Sequence, residues 1–507
     1  MFHSNSYIVK IMKKNTIIFA AILTTVLGTS SCRKEYFPST QIDENSALTN
    51  AGDIETATIG TYALFKDLNY VRSGHFLTEY PSDEIAQGQN SSDDLSNLYK
   101  YTHLINSSHA SLFWSQSYKA AGAANKIIEK IDDNATADLR QLKGENLYIR
   151  AMMHFNLVRV FGRPFSQNAG DNAGIPILKE GLTEEQKLTL PRSKVSAVYE
   201  FVIADLLKAA SLMTVAKTNP FASKEVAYAL LSRVYLYQEN NQKSIDYANL
   251  VINSGRYALL QGSEYQTYFR AAPEGNKETI FCTRHIKTED RGYSAIGSMY
   301  YSGDANGVAQ NQAFSGWGEI YASRKYYDFL SLNPADRRLS FISSYRVNGV
   351  VQNNTKVTPN TPMHYINKYN LQEGIVNLSS PVYLRLAEMY LNRAEANAKL
   401  GNAQLALDDV NVIRTRAGIP VHTIASVAAS NKSILDVVLE ERWLEHAFEG
   451  QRAYDLFRNG RSMVRNYPGT HAVSGNVNQT VTAFDNRVVS FIPLTEINKN
   501  PALTQNP

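Results

Sequence analysis

Apolar residues along much of this chain return every third or fourth position, the spacing that places them on one face of an α-helix. Between Tyr383 and Leu400 they stand at Tyr383, Leu386, Tyr390, Leu391, Ala394 and Ala398, and Gly401-Asn402 then stops the run. The pattern resumes from Ala403 to Ala417 with Leu405, Leu407, Val410 and Ile413, and ends at Gly418 and Pro420. Both residues terminate helices, Gly by tolerating a left-handed backbone and Pro by lacking an N–H donor. Two antiparallel helices are predicted. The plan recurs at Glu225 to Tyr237, broken at Asn240-Asn241 and resumed from Ser244 to Asn253 before Gly255; an earlier copy begins with Glu145 to Phe161, ending at Gly162.

Small residues where paired helices cross, aromatics near helix ends and a unit of roughly 34 residues are the marks of tetratricopeptide repeats, which stack into a solenoid. A mainly α, tetratricopeptide-like repeat scaffold is therefore expected, with a generic helical bundle as the alternative. Between about residues 258 and 380 the texture changes to Gly, Asn, Ser and Tyr, with strand-like pieces at Thr279 to His285 and Tyr345 to Val351. This reads as a loop-rich, partly β insertion. Loops of that length are functional or disordered, and the aromatic content argues against disorder, so ligand contacts are expected there. The predicted organisation is a helical region over 47–257, the insertion over 258–380 and a second helical region over 381–507.

The front of the chain has a different layout. Lys10, Lys13 and Lys14 precede an apolar run from Thr16 to Leu27 and then Gly28-Thr29-Ser30-Ser31-Cys32, as in a cleaved signal peptide over residues 1–31. Met12, just before Lys13-Lys14, is an alternative start. The run has about half the roughly 20 residues that a membrane-spanning helix needs, and no second such run follows. Small residues ending in Cys32 resemble a bacterial lipobox, in which the cysteine thiol receives a diacylglycerol. One acyl chain holds weakly and two or more hold stably, so a multiply acylated Cys32 is expected to anchor the protein to a membrane surface through a tether over 32–46. A disulfide to Cys282 is the alternative use of that thiol.

Charge narrows the partners. Lys10, Lys13 and Lys14 belong to the signal segment; without them the 51 basic residues fall to 48, against 47 acidic ones. So even a balance argues against nucleic acid, which demands a concentrated basic face. The surplus is aromatic instead, with 30 Tyr and 20 Phe.

Several stretches together carry the motif series of one known family. Phe113-Trp114 with Tyr118 and Ala124-Asn125-Lys126-Ile127-Ile128 match its early helix. Gly144-Glu145, Ile149-Arg150-Ala151, Phe155, Leu157-Val158-Arg159 and Phe161-Gly162 match the next. Tyr383-Leu384-Arg385-Leu386-Ala387-Glu388 with Asn392-Arg393-Ala394-Glu395, then Asn411 to Gly418, Glu440-Glu441-Arg442, Glu445, Phe448 to Arg452, Asp455-Leu456 and Arg458 continue the series, and Ile492-Pro493, Glu496-Ile497, Asn500-Pro501 and Gln505-Asn506-Pro507 close it. Taken in this order, these stretches resemble the SusD/RagB family, surface glycan-binding lipoproteins of Bacteroidetes, and the resemblance implies a SusD-like fold, anchored to outer-membrane lipid through Cys32, that lids a SusC-like, TonB-dependent barrel and hands it captured oligosaccharide or another nutrient. Residues 284 to 380 match no motif of the family, as expected where members differ in ligand.

Signatures of chemistry are lacking. There is no H-E-x-x-H, Walker loop, G-x-G-x-x-G or G-x-S-x-G, and Asp304-Ala305-Asn306-Gly307 opens like a calcium loop without its later acids. No catalytic residue, metal ligand or cofactor is called for. Glycosidases need two carboxyl groups flanking the bond, and the acidic pairs Asp83-Glu84, Asp93-Asp94, Asp408-Asp409 and Glu440-Glu441 leave an all-helical glycosidase or lyase as one alternative, a protein-binding repeat scaffold being another. The last two pairs sit on repeat helices, where solvated faces and ion pairs with residues such as Arg414 and Arg442 are expected.

Sugars offer apolar ring faces edged with hydroxyls, so their sites combine flat aromatic platforms with amides, carboxylates and guanidinium groups. Trp114 and Trp443 lie in helical motifs and are expected in the core. Trp317 lies in Phe314-Ser315-Gly316-Trp317-Gly318, where flanking glycines favour a turn that presents the ring. Tyr293, Tyr300 and Tyr301 precede it, with Arg291 and Asn311 interspersed, and together they form the first candidate ligand surface. A second strip, the polar loop from Asp83 to Tyr101, comprises Asp83, Gln89, Asn90, Tyr99 and Tyr101.

Overall fold

The computed structural model describes residues 48, 50–89, 94–300, 316–347, 350–355, 357, 359–472 and 478–507. The signal segment, Cys32, Asn90, Tyr301, Asn311 and the Asp304 to Gly307 turn lie outside them. Helices dominate: α1 (Ala51–Phe65), α2 (Leu68–Glu79), α3 (Ser108–Lys130), α4 (Ala137–Phe161), α5 (Val195–Leu212), α6 (Lys224–Tyr237) and α7 (Asn241–Ile252) come first. After a long excursion come α8 (Leu386–Lys399), α9 (Ala403–Ala417) and α10 (Ile434–His446). Sequence neighbours pack on one another from α3 through α7, and α7 then packs on α8, so the helical stack continues across the excursion. Close crossing is possible because Ala227, Ala229, Ala248, Ala394 and Ala406 bring almost no side-chain bulk to the contacts and are fully buried. Gly401 and Gly418 carry the left-handed backbone that ends α8 and α9, with φ of 82° and 79°.

One predicted boundary moves. The run from Tyr383 reads as helix, but Val382–Arg385 is a strand paired antiparallel with Thr279–Cys282, and α8 starts only at Leu386. That ladder, a two-stranded neck, joins the segment entering the excursion to the segment leaving it, and Ile296, Met299, Tyr300, Ile320, Tyr326 and Tyr369 of the excursion are buried in one core with the helices. The strand-like piece at Thr279 shortens accordingly, and the one at Tyr345 becomes a small hairpin of Arg346–Val347 with Val350–Val351. A second ladder, Ile85–Gln87 with Ile320–Ala322, ties the excursion to the N-terminal helices.

Beneath the neck the charged residues of the sequence motifs form a buried ionic network. Arg385 donates to Glu449 Oε2 at 2.9 Å, to Glu278 at 3.3 Å, and to both the carboxylate and the backbone carbonyl of Glu445. Arg416 reaches Glu278 at 2.8 Å and Glu445 at 2.5 Å. Burial alone pushes the Glu445 carboxyl up, but Arg416, Arg385 and Arg338 outweigh it and hold the group well below the usual carboxylate range. Each acidic pair on the repeat helices divides: Asp408 is exposed and Glu440 partly so, as expected of a solvated face, while Asp409 and Glu441 are buried. Asp409 takes the half-buried Arg393 through both oxygens at 2.7 and 2.8 Å, and Glu441 takes Arg338 at 2.6 Å and the expected partner Arg414 at 2.9 Å. Arg442 turns to Asp455 and Asn392 rather than to its neighbouring acids.

Candidate functional site

The excursion raises one pair of rings into solvent. Trp317 is 58% exposed and Tyr293 40% exposed. Their centroids are 5.3 Å apart with the planes inclined at 61°, an edge-to-face contact that leaves ring surface open to solvent. Local chemistry explains Trp317: Gly316 and Gly318 have φ of 136° and 58°, conformations that a side chain would strain, and they turn the chain so that the indole points out. Trp114 and Trp443, by contrast, are 3% and 8% exposed.

Around the pair the surface is polar. Gly88 N–H donates to the Glu319 carbonyl at 2.8 Å, and Gln89 Nε2 reaches the Glu319 carboxylate at 3.4 Å. Tyr365 Oη donates to the Gly318 carbonyl at 3.3 Å. Arg291 and Asp290 are exposed one turn of chain away from Tyr293, and Asp290 accepts the Gly292 N–H at 3.0 Å. Gln89 belongs to the second strip expected from the sequence, whereas Glu319 and Tyr365 were not singled out there. Their proximity to Trp317 depends on the ladder between Ile85–Gln87 and Ile320–Ala322, which no local pattern announces.

Tyr300, Tyr99, Tyr101 and Asp83, four of the other expected contacts, are corrected by the structure. Tyr300 is fully buried, hydrogen-bonded with His75 Nε2 at 2.6 Å and stacked on Tyr369 at 5.7 Å. Burial lowers His75 to a pKa of about 3, so a neutral imidazole meets a neutral phenol. Tyr99 is also fully buried; its hydroxyl pairs with His471 Nδ1 at 2.7 Å, and the Arg465 guanidinium lies 3.9 Å from its ring centroid. Tyr101 donates to the Pro81 carbonyl at 2.5 Å. Asp83 is clamped between Arg452 at 2.8 Å and Lys325 at 2.7 Å; burial raises its pKa, but the two cations reverse the shift and hold it well below the ordinary value. None of these four can offer a face or a free oxygen to a glycan, since each has its polar atoms engaged inside the protein. Of the two candidate surfaces, Trp317, Tyr293 and Arg291 stay at the surface together.

Fold and site thus define a class: a stack of helix pairs bearing an exposed aromatic platform on a necked excursion. Two family descriptions match the chain, "SusD family" over residues 343–507 and "Starch-binding associating with outer membrane" over residues 39–236. The chain belongs to the SusD family, whose members associate with the outer membrane. SusD-like protein P2 of Formosa agariphila is 26% identical over 88% of this chain and 91% of its own. The crystal structure of a SusD superfamily protein from Bacteroides thetaiotaomicron superposes with a TM-score of 0.78 at 28% identity, covering 90% of this chain and all of the other. A laminarin-binding SusD-like protein shares the fold at a TM-score of 0.68 and 22% identity, over 90% of this chain and 99% of its own. The C-terminal match begins at residue 343, inside the stretch where no family motif was legible. Both rings of the platform fall between the two matched regions.

Proposed function

We propose that this protein is a glycan-binding outer-membrane lipoprotein that captures oligosaccharide on Trp317 and Tyr293 and passes it, unaltered, to a SusC-like TonB-dependent barrel. The observation that carries this reading is the exposed edge-to-face pair, because an apolar platform with a polar rim suits a pyranose ring. The starch-binding description of one matching family and the laminarin bound by a fold relative support the ligand class. Capture without cleavage is supported by the acidic pairs, since Asp83, Asp409 and Glu441 are each neutralised by a cation in the interior rather than held across an open cleft. Acylation of Cys32 supplies the anchor.

Calorimetry with starch- and laminarin-derived oligosaccharides tests the platform. Trp317→Ala is expected to weaken binding by about thirtyfold, roughly 2 kcal/mol, because one stacking anchor dominates such sites. A variant with wild-type affinity would remove Trp317 from the site. Bound oligosaccharide should be recovered intact after long incubation, and protein-dependent release of reducing ends would turn the reading toward a glycosidase. Cys32→Ala is expected to move the protein from the membrane fraction to the soluble one; unchanged fractionation, with no lipid label on the wild type, would defeat the anchor.

A further inference from the structure

The two platform rings stand on separate pieces of chain, and one buried residue touches both. Ser298 is fully buried in the short helix Ile296–Tyr300. Its hydroxyl donates to the Tyr293 carbonyl at 2.6 Å and lies 3.0 Å from the Ala295 carbonyl. Its own carbonyl accepts the Gly318 N–H at 3.0 Å, next to Trp317. The helix that carries it is fixed in turn. A Cβ on Gly297 would stand 1.9 Å from the Tyr369 carbonyl oxygen, so this turn of helix lies directly on that backbone. Tyr300 extends inward to His75, and Tyr369, stacked against it, donates to the Phe448 carbonyl at 2.6 Å.

We infer that Ser298 is the positioning residue of the platform, clamping the Tyr293 loop and the Trp317 loop at the separation and angle that a glycan meets. This deepens, and rests on, the reading of the two rings as the binding surface. Preorganisation is the physical point. Rings held in place before binding spare the ordering cost that loose loops incur when the ligand arrives, and that difference appears as affinity. The hydroxyl does this rather than the backbone alone, because the Gly318 bond reaches only the Trp317 side while the hydroxyl reaches only the Tyr293 side.

Two substitutions separate the hydroxyl from the volume it fills. Ser298→Ala removes the donor, and Ser298→Cys keeps the size with a much weaker donor. Both are expected to bind starch- or laminarin-derived oligosaccharide about fivefold more weakly than wild type, the effect of one buried hydrogen bond. Both are also expected to raise acrylamide quenching of tryptophan emission. Trp317 dominates that signal because the other two tryptophans are buried. Wild-type affinity and quenching in either variant would overturn the clamp, as would a lowered melting temperature with both readouts unmoved. Quenching needs no glycan, so it judges the clamp even if Trp317→Ala binds normally and the platform reading itself falls.

Discussion

Segment 385–458 concentrates charged residues and segment 289–319 aromatic ones, and the two are used in opposite ways. In the first, Arg385, Arg416, Glu445 and Glu449 are buried and satisfy one another, and Tyr265 donates to Glu445 at 2.9 Å from within the same network. In the second, Trp317 and Tyr293 are held at the surface by glycines and by a single serine. The first arrangement fixes where the excursion leaves and re-enters the stack. The second leaves apolar surface open, which stability alone would not favour. The contrast teaches that charge-rich motifs here belong to architecture, whereas the proposed recognition surface leaves Trp317 and Tyr293 exposed among the described residues.

The strongest test of that division lies at the neck. Arg385→Ala removes the cation that Glu278, Glu445 and Glu449 share, leaving Arg416 on the first two and Lys368 on the third, and this deficit of buried positive charge is expected to cost roughly 3–5 kcal/mol of unfolding free energy, read by chemical denaturation. A loss below about 1 kcal/mol would mean that the network is incidental to stability.

An intermediate effect is expected from Glu79 and Glu84, which lie at the junction of the two regions. Glu79 accepts the Gly450 N–H at 2.8 Å and Glu84 the Phe448 N–H at 2.7 Å, while the Glu84 carbonyl receives Ser323 N–H just beyond the Trp317 strand. Burial raises Glu79 to a pKa of about 7, and burial together with the Glu79 charge raises Glu84 well above the ordinary value. Groups so raised retain a proton in the folded state. Their contribution is fully present below about pH 4.5, the unfolded value, and is lost as the pH rises through about 7 for Glu79 and higher for Glu84. Lys368 and Arg452, which face the pair, oppose the shift without cancelling it. The melting temperature should therefore fall between pH 6 and pH 8.5, and Glu84→Gln should make that fall shallower; an unchanged slope would remove the pair from the pH response.

The smallest expected effect sharpens the comparison from the other side. Trp317→Ala should change unfolding free energy by no more than about 0.5 kcal/mol, since a half-exposed ring outside the core contributes little to it. A loss of roughly 3 kcal/mol or more would mark the ring as a core plug and dissolve the distinction between the two regions.

Helix pairs, their glycine stops and the change of texture near residue 258 were legible in the sequence because they depend on residues within a few positions of one another. Trp317 was legible for the same reason, since Gly316 and Gly318 act on the adjacent backbone. Which tyrosine faces out was not. Tyr300 and Tyr293 lie seven positions apart in similar surroundings, but one is buried against His75 across 225 residues of chain while the other is 40% exposed with its ring against Trp317. Asp83 likewise finds Arg452 across 369 residues, and Tyr99 finds His471 across 372. Local periodicity and turn chemistry carry no record of such partners. Burial, and with it the choice between anchor and binding surface, was decided only when the tertiary fold brought those distant side chains together.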